Sequence, residues 1–165
     1  MDARSLALFQ LDFAKDFYDY ALGGVDDALA NQASPGNLAT IARIYVHPWI
    51  ALDEFMHTLS QGQPRLWESG GWAAMTGGPA DPEDWTTPIA LRLDAFKEYR
   101  SAVIAAAQHF LTSAPDALLA KEVDTPLGRM PVMTLVAGVG MLHLGEHIGD
   151  IATLKGVRGI QGLPF

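Results

Sequence analysis

His143 and His147, in the run Met141-Leu-His-Leu-Gly-Glu-His-Ile-Gly-Asp150, are four residues apart. On a helix that spacing puts two imidazoles on one face, one turn above the other. Val132, Leu135, Val136, Val139, Leu142, Ile151 and Leu154 recur around them at helical spacing, so the rings are expected to point inward. Neutral imidazoles taken out of water need partners, and a divalent metal suits this pair. Two ligands alone hold a metal weakly, so a third is required. His47 ranks first because it lies mid-helix beside an apolar stripe, with His109 second and His57 last.

Four amphipathic segments must position these groups. Leu6–Leu22 carries Leu6, Phe9, Phe13, Phe17 and Tyr20 on one stripe, opposite Asp12, Lys15, Asp16 and Asp19, and Gly23-Gly24 stops it. A short helical turn is expected at Asp26–Asn31. A second helix is expected from Asn37 as N-cap to Gly62, with Leu38, Ile41, Tyr45, Leu52, Phe55 and Leu59 inward and a kink at Pro48. Gln61–Pro88 loses periodicity, is rich in glycine and proline, and holds Trp67, Trp72 and Trp85. It is expected to be an ordered loop pinned by its tryptophans, with a helical turn at Pro64–Glu68. Ile89–Thr112 forms a third helix with Leu93, Phe96, Tyr99, Val103, Ala107 and Phe110 inward. Ser113–Leu119 reads as a capped turn, and Thr125–Pro131 as a turn-rich link with two short extended pieces. Pro131–Lys155 is the fourth helix, followed by an irregular tail. The expected fold is all-α: one four-helix bundle spanning residues 1–165, with a long irregular loop between its second and third helices.

Composition narrows the chemistry. The 165 residues include no cysteine, so thiolate ligands and a cysteine nucleophile are excluded and any soft-metal site must use nitrogen and oxygen. A formal net charge of −8 with scattered basic residues argues against nucleic acid as a partner. No apolar run has membrane-spanning length, and the charged N-terminus is unlike a signal peptide, so a cytoplasmic protein without a membrane partner is expected.

The closing segment Leu142-His-Leu-Gly-Glu-His-Ile-Gly-Asp-Ile-Ala-Thr-Leu-Lys-Gly156 resembles the last helix of the DinB-like superfamily. Ser34-Pro-Gly-Asn-Leu-Ala-Thr-Ile-Ala-Arg-Ile-Tyr-Val-His47 is similar to the stretch that ends in that family's first ligand. Leu59-Ser-Gln-Gly-Gln-Pro-Arg-Leu-Trp-Glu-Ser-Gly-Gly-Trp72 is similar to the loop that follows in one branch. The resemblance implies a bundle in which His47, His143 and His147 hold a divalent metal, zinc or nickel. It further implies a transferase or isomerase using a low-molecular-weight thiol such as mycothiol, bacillithiol or glutathione on a small-molecule substrate. The missing cysteine fits, because the sulfur would come from that thiol. The alternative is a non-catalytic metal-binding dimeric scaffold or stress-associated interaction protein; a homodimer is expected in either case.

Seven further positions carry expectations. Asp150 faces the two histidines as an acceptor that could orient one ring, or caps the polar end of the bundle. Glu54, two turns from His47, could orient a water, whereas Asp53 is expected on a charged outer face. Glu146 directly precedes the second histidine, unlike the His-Glu-x-x-His order of metalloproteases, and is expected on a solvated flank. Trp67 and Trp72 either roof a cleft or pin the loop, and Arg158 is expected to be solvated.

Overall fold

The computed structural model describes residues 2–164. It is dominated by helix: α1 (Ala3–Ala21), α2 (Asp27–Asn31), α3 (Ile41–Glu54), α4 (Leu66–Ser69), α5 (Trp72–Thr76), α6 (Leu93–Ser113), α7 (Asp116–Ala120) and α8 (Met141–Val157). Two π-helical stretches adjoin the long helices, Phe55–Leu59 after α3 and Thr134–Gly140 before α8. The extended pieces expected near residue 125 are a small antiparallel hairpin, β1 (Glu122–Thr125) and β2 (Gly128–Pro131), pairing Val123 with Met130.

α1 packs on α8 and α6, and α3 packs on the same two helices, so the four long helices close around a shared core. Tyr18, Tyr45, Trp49, Phe96, Tyr99 and Leu144 fill that core with no exposed surface. The inward set expected for the third helix is buried throughout. Asp2 caps α1 through Ser5 N (2.8 Å), and Lys155, almost fully buried, caps its far end by donating to the Ala21 and Gly23 carbonyls (2.9 and 2.8 Å). The same ammonium reaches Gly162 O, drawing the irregular tail back onto the helices.

Several expectations are corrected. α3 starts at Ile41, capped by the Thr40 hydroxyl accepting from Arg43 N (3.2 Å), not at Asn37. Leu38 is exposed outside it, and α3 continues through Pro48. The largest reversal concerns α1. Its core face is Ala7, Leu11, Ala14, Tyr18 and Ala21, while Leu6, Phe9, Phe13 and Tyr20 are exposed. Small residues on the inner face let α1 approach its neighbours closely, which leaves the bulky stripe outside. Leu142, expected inside, is 65% exposed because the π-helical stretch shifts the helical register between Val136 and Leu144. Arg158, expected in solvent, ties the chain after α2 by donating to the Gln32 and Ala33 carbonyls.

Candidate metal centre

α3 and α8 carry the three imidazoles. Gly140, where the π-helical stretch meets α8, lets that crossing be tight: a Cβ there would come within 3.0 Å of a Leu52 methyl. One to two turns along each helix from this contact, His47 meets His143 and His147 with ring centroids 4.7 and 5.3 Å apart. His143 and His147 are 4.7 Å apart by centroid, with their Nε2 atoms 3.0 Å from each other. One ligating atom from each of the three residues lies within 4.8 Å of the others, so the cluster could hold a metal ion.

The environment suits that use. His147 Nδ1 is 2.8 Å from Asp150 Oδ2, so the ring donates there and presents its Nε2 lone pair to the cluster. Burial, reinforced by the two facing imidazoles, pushes His47 down to about 4. Burial and His147 also hold His143 below the ordinary histidine range, against the opposing pull of Glu146. At neutral pH these rings are therefore in the uncharged form that ligates. All three are half-buried at the edge of the core, not enclosed within it.

The cluster opens onto a cleft of about 640 Å³. Phe55 and Leu59 from one π-helical stretch and Leu135 and Val139 from the other make its apolar floor, with Leu127 at the hairpin tip closing one side. Its carboxylates are Glu54, Glu83 and Glu146. Glu146 is exposed, as expected, yet stands on this rim. Burial raises the Glu54 carboxyl above its ordinary value, partly countered by the Arg65 guanidinium 3.4 Å from Oε2.

Trp67 and Trp72 do not line the cleft. Trp67 is buried, packs edge-on against Tyr99 and donates from Nε1 to Pro79 O (3.1 Å), and Trp72 also packs on Tyr99. They pin the loop. Trp85 is the tryptophan at the site, edge-on to His47 at 4.6 Å with Arg43 over its ring. Asp84 turns the chain there, accepting from Thr86 N and Thr87 N.

Asp53 is not on an outer face. It is fully buried, and its carboxylate accepts from His57 Nδ1 (2.7 Å), Leu66 N (3.0 Å), Trp67 N (2.9 Å) and Tyr99 OH (2.8 Å). The hydrogen bond to Asp53 raises the His57 pKa. His57 and His109 line a separate hollow, so neither joins the cluster, and His109 lies beside Ser113. The sequence alone puts Asp53 on an outer face and Trp85 among the loop's anchors, so neither placement was found. A carboxylate at i−4 from a histidine is a local signal for the first; nothing local marks the second.

No family model matches the chain, and no curated protein matches it. A crystal structure from Enterococcus faecalis, described as a conserved protein of its locus, is similar in fold with a TM-score of 0.74. The two share 17% identity over 94% of this chain and 99% of that one. At that identity the likeness shows the fold alone. No helix among the described residues is long and apolar enough to cross a membrane.

Proposed function

We propose that this chain is a DinB-like four-helix-bundle protein of the cytoplasm. In this reading His47, His143 and His147 hold zinc or nickel, and the site works as a metal-dependent thiol transferase or isomerase on a small-molecule substrate. The observation that carries the reading is the meeting of three imidazoles, from two helices, beside an apolar cleft. When bound, such an ion lowers the pKa of a coordinated thiol or water and makes a nucleophile available near pH 7. The rest is the work of the chain. Asp150 fixes the tautomer of His147; the apolar floor excludes water from the reacting pair; and Glu54, its Oε2 steadied by Arg65, can hold or release a proton at Oε1. With no cysteine in the chain, the sulfur must come from a soluble thiol.

The test is metal content followed by turnover. Protein loaded with Zn²⁺ or Ni²⁺ should bind one equivalent by elemental analysis. His143→Ala should lose most of it while keeping its far-UV circular dichroism. Loaded protein is then screened with mycothiol, bacillithiol and glutathione against electrophilic acceptors. Unchanged stoichiometry in His143→Ala would remove that residue from the site; full loading without turnover would favour the second reading. That reading, a metal-binding dimeric scaffold, is supported by the exposed aromatic face of α1.

A further inference from the structure

The two most exposed large apolar side chains among the described residues both stand on the cleft beside the imidazoles. Leu127, at the hairpin tip, is 70% exposed, and Leu142, on α8, is 65% exposed. Neither is used by the core. With the floor of Phe55, Leu59, Leu135 and Val139 they make an apolar surface that stays in water until something covers it. A hollow of about 640 Å³ is the size that a small organic molecule fills.

The charge around that surface has one sign. Glu54, Glu83 and Glu146 line the cleft, and no lysine or arginine does. They come from α3, the long loop and α8, so the sign belongs to the cleft and not to one helix face. None of them is in the group that could ligate a metal. Glu146 acts on His143 and makes no ion pair with a lysine or arginine among the described residues. Arg65 is shared: its guanidinium is 3.4 Å from Glu54 and 3.9 Å from Glu83, but closest to Glu68, at 2.6 Å. One cation among three carboxylates leaves that wall anionic. The Glu54 carboxyl registers the surplus: burial raises its pKa, and Glu83, Glu68 and Asp53 raise it further against the pull of Arg65. Apolar walls carrying charge of one sign focus the field into the cleft. We propose that the cleft selects a small molecule with an apolar body and a cationic group, an alkylammonium or arylalkylammonium, over a carboxylate of the same shape. The body lies on the apolar floor, and the ammonium stays at the rim near Glu146 and Glu83, where it keeps part of its water. A carboxylate in that place meets only like charge. What the cluster does to the bound molecule rests on the metal-dependent reading above, whereas which molecule enters is decided by the cleft's own side chains.

Octylammonium, octanol and octanoate share one chain and differ in the charge of the head. They are titrated calorimetrically at pH 7 into the whole protein, stripped of metal so that no head group can ligate an ion. Octylammonium should bind with a Kd at or below about 1 mM and at least about tenfold more tightly than octanoate, with octanol between them. Added salt should narrow the gap. Glu146→Gln combined with Glu83→Gln, at two positions outside the core, should cut the ratio of octylammonium to octanoate affinity to about threefold or less. Leu127→Ser, at an exposed hairpin tip, should weaken all three, which places them in the cleft. The proposal is overturned if none of the three binds, if octanol or octanoate binds as tightly as octylammonium, if the preference survives the double substitution, or if Leu127→Ser changes nothing. These titrations need no ion, so they can fail while His47, His143 and His147 still take up one equivalent of metal, and metal uptake can fail while the preference holds.

Discussion

Asp53→Asn exchanges one oxygen for an amide nitrogen at a point where every neighbour is a donor. Whichever way the amide is turned, its NH2 faces two donors. Placed toward Oδ2 it meets Trp67 N and Tyr99 OH; placed toward Oδ1 it meets Leu66 N and His57 Nδ1. Tyr99 OH and the His57 ring can adapt by presenting a lone pair, but a backbone N–H cannot. At least one N–H of α4 is therefore left unpaired, at about 1–3 kcal/mol. Loss of the charge-assisted bond to His57 brings the expected total to roughly 3 kcal/mol, a large share of a typical stability of about 5–15 kcal/mol. For a chain of this size that is a fall of about 6–12 °C in melting temperature. Urea unfolding followed by circular dichroism gives the free energy, and limited proteolysis of residues 61–88 reports release of the loop. A pH series gives an internal control. The raised pKa of His57 contributes stability that is fully present below about pH 6.5 and is lost as pH rises through the higher folded-state value. The gap between the two proteins should therefore be wider at pH 6 than at pH 9. A variant within 0.5 kcal/mol of the unmodified protein, with a gap independent of pH, would refute the reasoning.

Two other expectations concern the site and its loop. Asp150→Asn should weaken metal affinity by about 10–100-fold with little change in melting temperature of the metal-free protein, because Asp150 is exposed and its hydrogen bond is to His147; competition with a chromogenic chelator measures it. Gly77→Ala should destabilise by about 2 kcal/mol or more, since φ is +70° and the new Cβ would lie 2.2 Å from Ala90 O, across the contact that joins the loop to the start of α6; differential scanning calorimetry reads it.

Much of the architecture was legible in the order of apolar residues, and the reasons for the exceptions are physical. The inward face of α6 follows one uninterrupted helical period, so all six residues counted inward are buried, although Arg100, Ile104 and Leu111 on the edge of that face were not counted. The same count fails for Leu142 because π-helical turns at residues 134–140 widen the spiral between the two halves of the segment. It fails for α1 because leucine and phenylalanine outweigh alanine in such a count, while close helix packing selects the smaller face. In the candidate centre, His143 and His147 announce themselves by spacing. His47 ranks first from its place mid-helix and the resemblance agrees, but the pairing of α3 with α8 is a tertiary fact that spacing does not show. Trp85 reaches His47 through an Asp84 turn inside an aperiodic loop, and no local pattern encodes that contact.

The irregular turns also explain why a cleft exists beside the cluster at all. Regular helices crossing as tightly as α3 and α8 do at Gly140 would interlock their side chains beyond the crossing and leave no space between them. Instead both chains widen into π-helical turns on the same side of that contact, Phe55–Leu59 on one and Thr134–Gly140 on the other. Phe55, Leu59, Leu135 and Val139, the floor of the cleft, all come from these two stretches. Wider turns hold poorer backbone hydrogen bonds and contribute less to stability than α-helix, so their pairing around one hollow has a cost that core packing alone does not require. The departure from regularity is local, and the apolar cleft it floors is lined at the cluster by His47 and His143.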